Sequence, residues 1–141
     1  MTILPGLALA SSIRSRNEGR SRYLGADRRG RSRDVEAAIS VASITELHFG
    51  GLVATDADER ARRTDRLAAV EATFDPLPVT VEVARSWGRL AAAVALRGGQ
   101  PRRRHIDLAI AATAAVEQVP LLTHNVSDFA LINDLVDVRR P

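Results

Sequence analysis

The segment His105-Ile-Asp-Leu-Ala-Ile-Ala-Ala-Thr113 is the most informative part of this chain for its fold, because it places one acid at the start of an Ala-rich apolar run. The segment predicts a helix over residues 106–116, and its many small side chains allow that helix to pack closely against a sheet. The short apolar run at 119–123 follows it and predicts a buried strand. A helix beside a buried strand is typical of an α/β domain.

The sequence on the N-terminal side of this segment predicts further helices and strands in alternation. Residues 81–96 carry apolar side chains at helical spacing, from Val83 through Leu90 to Val94. Short apolar strands alternating with helices indicate an α/β/α sandwich with a mainly parallel central sheet. A chain of 141 residues is long enough for one domain with a real core, so we expect residues 1–141 to form a single domain. Further helices are predicted at 43–52 and 56–70, and further strands at 2–10, 39–41 and 136–138.

Composition narrows the possible chemistry. Apolar residues make up 45% of the chain and charged residues 26%, which fits a globular protein in the cytoplasm. The absence of cysteine excludes disulfides, thiolate zinc sites and cysteine nucleophiles. No apolar run reaches the ~18–20 residues of a membrane span, so no membrane association is expected. The net charge is +3 and all 20 basic residues are Arg, a modest balance that agrees with a polyanionic partner.

Three acids stand in recognisable local frames. Glu46 follows the predicted strand 39–41 by one helical turn, Asp107 lies in the first turn of its helix, and Asp128 follows the strand 119–123. Ligand sites of parallel sheets lie beyond the carboxyl ends of the strands, so all three acids can reach one edge. Carboxylates are the oxygen ligands that Mg²⁺ prefers, and a bound cation can activate water. The pattern predicts a metal-dependent enzyme that acts on a phosphodiester.

Each acid also has an ordinary structural interpretation. Glu46 is then a solvent-facing side chain of its helix. Asp107 stabilises a helix N-terminus through its charge, and Asp128 is a turn residue. The residues alone leave these alternatives open.

The frames of the acids resemble a known family. Ile39-Ser-Val-Ala-Ser-Ile-Thr-Glu-Leu-His-Phe-Gly50, Asp107-Leu-Ala-Ile-Ala-Ala-Thr113 and Leu121-Leu-Thr-His-Asn-Val-Ser-Asp-Phe129 are similar, in order and spacing, to PIN-domain ribonucleases. The resemblance is greatest to VapC-type toxins of type II toxin–antitoxin systems, and it covers roughly residues 36–141. It implies a PIN fold and a Mg²⁺- or Mn²⁺-dependent endoribonuclease. It also implies a homodimer that is neutralised by a VapB antitoxin.

The resemblance assigns roles to individual residues. Glu46 matches the second acid of the family and Asp107 the third, a metal ligand, while Asp128 or Asn125 matches the fourth. Glu46, Asp107 and Asp128 are therefore the predicted catalytic residues and metal ligands. Predicted to line the site are Asn125, Thr123 and Ser12. The cluster Arg102, Arg103 and Arg104 precedes Asp107 where an RNA backbone would pass, so it either contacts phosphates or is a solvated loop.

The chain departs from the family near its start. Ala10 stands where the family has its first aspartate, and residues 10–34 form an atypical segment rich in Arg, Ser and Gly. No apolar period survives in this segment, which predicts irregular structure. Its abrupt composition leads us to hypothesise a compensated reading-frame shift. Because the family's metal is bound by the first and third acids, Ala10 should weaken metal binding, and neither Asp27 nor Asp34 follows a predicted strand that would let it substitute.

Two other functions compete with an active toxin. The first is a catalytically impaired PIN domain that still binds an antitoxin or RNA, and Ala10 is the feature that favours it. The second is a basic nucleic-acid-binding module that uses the arginines of residues 14–33. Activity that depends on Asp107 would exclude both.

Overall fold

The computed structural model describes residues 9–10, 22–26 and 32–141, with side chains from Ala37 onward. Four α-helices follow one another along this part of the chain, and the α/β class predicted from the sequence is confirmed. The helices are α1 (Val41–Leu52), α2 (Ala57–Thr73), α3 (Val81–Leu96) and α4 (His105–Glu117). The strands are β1 (Leu9–Ala10), β2 (Arg22–Ala26), β3 (Ser32–Ala38), β4 (Leu121–Leu122) and β5 (Val138–Arg139). Two 3₁₀ helices, Pro101–Arg104 and Val126–Ile132, flank α4 and β4.

The strands pair in the order β2-β3-β1-β4-β5. Parallel pairing, which the sequence predicts for most of the sheet, is found between β4 and β5 and at the isolated bridge from Ser40 to Leu77. The other described pairings are antiparallel, so the sheet is mixed rather than mainly parallel. One reason is the short connection from Ala26 to Ser32, since parallel neighbours need a crossover of a dozen or more residues.

The prediction of irregular structure for residues 10–34 is wrong where the structure describes them. Strand β2 and the first residues of β3 lie in this range, and they pair from Arg22 with Glu36 to Ala26 with Ser32. The pairing is made by backbone groups, and those groups do not require an apolar period in the side chains. Ser12, Asp27 and the predicted strand at residues 2–8 lie outside the described residues.

Helix boundaries follow from their N-caps. Helix α1 begins at Val41 because the Ser40 side chain accepts a hydrogen bond from the Ala42 N–H, so the strand predicted at 39–41 ends earlier, at Ala38. Asp56 caps α2 by accepting from the Glu59 N–H at 2.8 Å, and Thr80 caps α3. Helix α3 has the predicted limits. None of the helices in the described part of the chain is long and apolar enough to cross a membrane.

Helix α4 lies at the centre of the main hydrophobic core. Its residues from Leu108 to Ala114 are all buried, and Ala111, Ala112 and Ala114 have no exposed surface. Such small side chains let α3 and strand β4 approach the helix closely. A second, separate cluster joins α1 to α2 and is named here the α1–α2 cluster; it consists of Ala37, Ile39, Leu47, Val70 and Phe74.

A buried pair of hydroxyl groups connects α1 to α4. Thr113 donates to the Ala109 carbonyl at 2.9 Å, so the Ser40 hydroxyl is the donor in its 3.1 Å contact with Thr113 Oγ1. Ser40 Oγ in turn accepts from the Ala42 N–H at 3.2 Å. Both residues are almost completely buried, so the Ser40 hydroxyl depends on Thr113 for the acceptor of its proton.

We predict that Thr113→Val lowers the free energy of unfolding by about 1–3 kcal/mol, because it leaves the buried Ser40 hydroxyl without an acceptor. Thr73→Val is the matched control. Thr73 makes the same bond to the carbonyl four residues earlier, at 2.7 Å to Ala69, but it is exposed and water can replace the bond. Its effect should stay within about 0.5 kcal/mol in urea denaturation. Equal effects of the two substitutions would show that the hydroxyl pair contributes nothing.

Candidate active site

Three different elements bring the predicted acids to the N-terminal end of α4. Asp107 lies in the first turn of α4 itself, where the helix dipole favours a negative charge. Glu46 is carried by α1, which packs against α4. Asp128 lies in the 3₁₀ helix Val126–Ile132 that follows β4. The structure thus gathers at one end of one helix three residues that are far apart in the sequence.

Glu46 is the most perturbed acid of this group. The pKa of Glu46 is raised to about 7, chiefly by burial and also by the negative charge of Asp107, while His105 partly opposes the shift. Its Oε2 atom is buried and has no hydrogen-bond partner in the described part of the chain. A buried carboxylate oxygen without a hydrogen-bond donor costs free energy. A proton or a cation at this atom would remove that cost.

Asp107 lies electrostatically between the other two acids. Burial raises the pKa of Asp107, and repulsion from Asp128 adds to that increase. The positive charge of Arg104 and the ring of His105 act in the opposite direction. Repulsion from the ionised Asp107 carboxylate is one of the causes that raise the pKa of Glu46 to about 7. Asp107 is therefore the acid that interacts with both of the others.

Arg104 fixes the third acid in place. Its Nη1 atom lies 2.9 Å from Oδ1 of Asp128 and donates to the backbone carbonyl of the same residue at 2.8 Å. Both side chains are partly exposed, at 41% for Arg104 and 37% for Asp128, so the pair lies at the surface of the site. The sequence predicted Arg104 as a phosphate contact, and the structure places it on Asp128. Arg102 and Arg103 are exposed on the preceding 3₁₀ helix.

The remaining predicted residues are placed around the loop after β4. Thr123 is buried, and its Oγ1 accepts from the Asn125 N–H at 3.1 Å, so this hydroxyl shapes the loop. Asn125 is exposed. Ser12 lies outside the described residues. Sequence reasoning missed the role of His105, which lies beside Asp107 at the start of α4 and partly opposes the increase in the pKa of both Glu46 and Asp107.

Oxygen atoms alone make up the donor set of the site. Among the described residues, no three acidic or histidine side chains form a ready-made group of metal ligands. The acids interact instead in neighbouring pairs, and Arg104 holds Asp128. Glu46 Oε2 and the adjacent Asp107 fit a hard cation such as Mg²⁺, which needs only one or two direct carboxylates.

Comparisons with solved structures show which class of protein this fold defines. The fold is shared with VapBC-5 from Mycobacterium tuberculosis, described as a member of the VapBC family of toxin–antitoxin systems, at a TM-score of 0.64 and 37% identity over 73% of this chain and 79% of that one. VapBC2 from Rickettsia felis, bound to a DNA fragment from their promoter, gives a TM-score of 0.61 over 74% of each chain, and its 21% identity supports the fold alone. The chain therefore has the fold of a PIN-domain protein of the VapC type.

Sequence comparison gives the family. The chain is 38% identical over 101 residues to ribonuclease VapC5 of M. tuberculosis, and the match covers 72% of both proteins. It is 40% identical over 80 residues to ribonuclease VapC8 of the same species, covering 57% of this chain and 70% of that protein. No family model matches. The chain belongs to the VapC family of toxin–antitoxin systems, as the sequence motifs predict.

We predict that Glu46→Gln stabilises the protein above pH 7 when no divalent cation is present. The folded state binds the Glu46 proton more tightly than the unfolded state, so the stability of the unsubstituted protein falls as the pH rises from about 4.5 to about 7. Gln carries no charge, and the variant should gain on the order of 1 kcal/mol at pH 8, after allowance for partial exposure, and little at pH 5. Thermal unfolding in EDTA at both pH values measures the difference.

Glu59→Gln is the control with the opposite sign. Hydrogen bonds from Arg62 and Arg63 lower the pKa of Glu59, so its carboxylate form is favoured in the folded protein. That substitution should stabilise at neither pH. If Glu46→Gln were no more stable than the unsubstituted protein at pH 8, the description of Glu46 as an uncompensated carboxylate would be wrong.

Proposed function

We propose that this chain is a VapC-type toxin, a metal-dependent endoribonuclease that hydrolyses RNA phosphodiester bonds. The observation that carries the proposal is the half-buried carboxylate of Glu46, with no partner for Oε2, beside Asp107 at the start of α4. In an active enzyme, a bound cation would neutralise this carboxylate and so remove the free-energy cost of leaving it unpaired. The ribonuclease names of the relatives from M. tuberculosis support the reaction class.

The chemistry divides between the cation and the side chains. Asp107 and Glu46 would hold a Mg²⁺ or Mn²⁺ ion through their carboxylate oxygens, and Asp128 would complete the acidic group. When bound, such an ion would supply polarisation of the phosphate and activation of water. Arg104 keeps Asp128 oriented and presents a positive charge at the mouth of the site. The exposed Arg102 and Arg103 contact RNA phosphates on either side of the cleaved bond.

The protein partner follows from the same family. We expect a VapB antitoxin to bind the chain and block the site, because the solved structures that share the fold are VapBC complexes. A homodimer and a cytoplasmic location belong to the same proposal.

A catalytically impaired PIN domain is the second candidate, and Ala10 favours it. Strand β1 lies between β3 and β4, with Ala10 paired to Ala37 and Leu9 paired to both Ala38 and Leu121. A methyl group at the end of this central strand cannot bind a cation. The cation then depends on Glu46, Asp107 and Asp128. The third candidate, a basic module built on residues 14–33, concerns a segment mostly outside the described residues and predicts that its deletion removes RNA binding.

We predict that Asp107→Asn lowers the rate of Mg²⁺-dependent RNA cleavage at least about 100-fold, because a metal ion contributes several kcal/mol of transition-state stabilisation. Asp65→Asn removes an exposed acid on α2 and is the matched control, which should keep the original rate. Cleavage of short labelled RNAs, with and without EDTA, provides the measurement. Full activity of Asp107→Asn would exclude this site as the catalytic centre.

We predict that Ala10→Asp strengthens Mg²⁺ binding and raises the cleavage rate at least about tenfold, since it supplies a further carboxylate at the end of the central strand. Ala10→Asn adds a side chain of the same shape without the charge and should give a much smaller change. Calorimetric Mg²⁺ titration and the cleavage assay measure the two effects. If Asp and Asn behave alike at this position, residue 10 does not belong to the metal site.

A further inference from the structure

A cleft of about 230 Å³ opens directly beside the acids. It lies between the C-terminal end of α3, the 3₁₀ helix Pro101–Arg104, the start of α4 and the 3₁₀ helix Val126–Ile132. Its floor is apolar and is formed by Leu108, Phe129 and Ile132, all of which are buried. At the end that carries Asp107 and Asp128, polar side chains line the cleft. Asp107, Asp128 and Arg104 account for its charged side, but the predicted metal ligands and phosphate contacts do not account for its apolar floor.

The walls of the cleft are held by specific contacts. A Cβ atom at Gly99 would lie 2.6 Å from Leu131 Cδ1 and 2.6 Å from Val94 Cγ1, so only glycine allows this approach. The Gly99 N–H donates to the Val94 carbonyl at 2.9 Å. Arg97 also holds Leu131, because it donates to the Leu131 carbonyl at 2.5 Å and pairs with both carboxylate oxygens of Asp134. The cleft is therefore a built feature of the fold.

The chemistry of the lining suits a flat, neutral ring. An aromatic and aliphatic floor packs against the face of a ring, while Gln100 and Ser127 offer an amide and a hydroxyl to its edge. The volume is below the ~300–1,000 Å³ of sites for drug-sized ligands, so one ring system fits rather than a longer group.

We propose that this cleft binds one unpaired nucleobase of the RNA, on the nucleotide next to the phosphate that is cleaved. The inference rests on the proposed ribonuclease function, because it takes the acids beside the cleft as the place of the reaction. Arg104 at the mouth of the cleft lies where it can meet the phosphate of the same nucleotide. Gln100 and Ser127 then determine which base is accepted, and the cleft sets the sequence preference of the enzyme.

The test fills the cleft and removes the base in the same experiment. Leu131→Trp places a large ring in the cleft. Leu135→Trp is the matched control, because Leu135 is similarly exposed, at 48% against 39% for Leu131, and does not line the cleft. Both variants are assayed on a short RNA and on versions in which each nucleotide around the cleaved bond is replaced in turn by an abasic one. Melting temperatures confirm that both variants are folded.

We expect Leu131→Trp to lower kcat/KM about tenfold on the intact RNA, and one abasic position to cause a loss of the same size in the unsubstituted protein. The two changes together should cost no more than either alone, because both remove the same contact. Leu135→Trp should change nothing. Gln100→Ala, which leaves the apolar floor intact, should relax the preference for the base at that one position.

Three results would overturn the proposal. Equal losses in Leu131→Trp and Leu135→Trp, or losses that multiply when the variant meets the abasic RNA, would show that no base occupies the cleft. A Leu131→Trp variant that cleaves RNA normally but no longer binds its antitoxin would assign the cleft to the protein partner. Should Asp107→Asn prove fully active, or should the unsubstituted chain neither bind nor cleave RNA, the proposed function itself fails.

Discussion

The close approach of other elements to helix α4 is the constraint on which the rest of the structure depends. Alanines with no exposed surface line the buried side of this helix, so α3 and β4 can pack on it without large side chains between them. The buried hydroxyl pair from Ser40 to Thr113 then fixes the start of α1 against the same helix. Because Glu46 is carried by α1 and Asp107 by α4, this packing determines how far apart the two carboxylates lie. A larger residue in the alanine face would separate the acids as well as loosen the core.

The site carries an electrostatic cost that the acids in ion pairs do not carry. Glu59 is paired with Arg62 and Arg63, and Asp134 is paired with Arg97. At the end of α4, burial and mutual repulsion raise the pKa of both Glu46 and Asp107, and Arg104 and His105 compensate only in part. Local rules of stability are commonly broken at functional sites and compensated by the surrounding fold. Here the compensation comes from the rigid packing around α4.

Much of this arrangement could be predicted from the sequence, because it depends on local patterns. The apolar stripe of residues 81–96 gave the limits of α3, and the frames around Glu46 and Asp107 indicated that both belong to one site. Strand direction and the pairing of β2 with β3 could not be predicted, since backbone groups make those contacts and the side chains there show no period. The contact from Arg104 to Asp128 joins residues 24 positions apart and depends on how the loop after β4 folds. The cleft could not be predicted either, because it depends on the contact of Gly99 with Leu131, which is distant in the sequence, and with Val94.

The two acids at the start of α4 differ in how the helices that carry them are attached to the hydrophobic clusters. Ala42 on α1 packs into the main core around α4, whereas Leu47, one turn further on, packs into the separate α1–α2 cluster with Val70 and Phe74. Glu46 lies between these two attachments, while Asp107 belongs to the main core alone. Regions with separate apolar clusters open to hydrogen exchange with different free energies. The two carboxylates therefore differ in their attachment to the core, and a ligand that bridges them would couple the α1–α2 cluster to the main core.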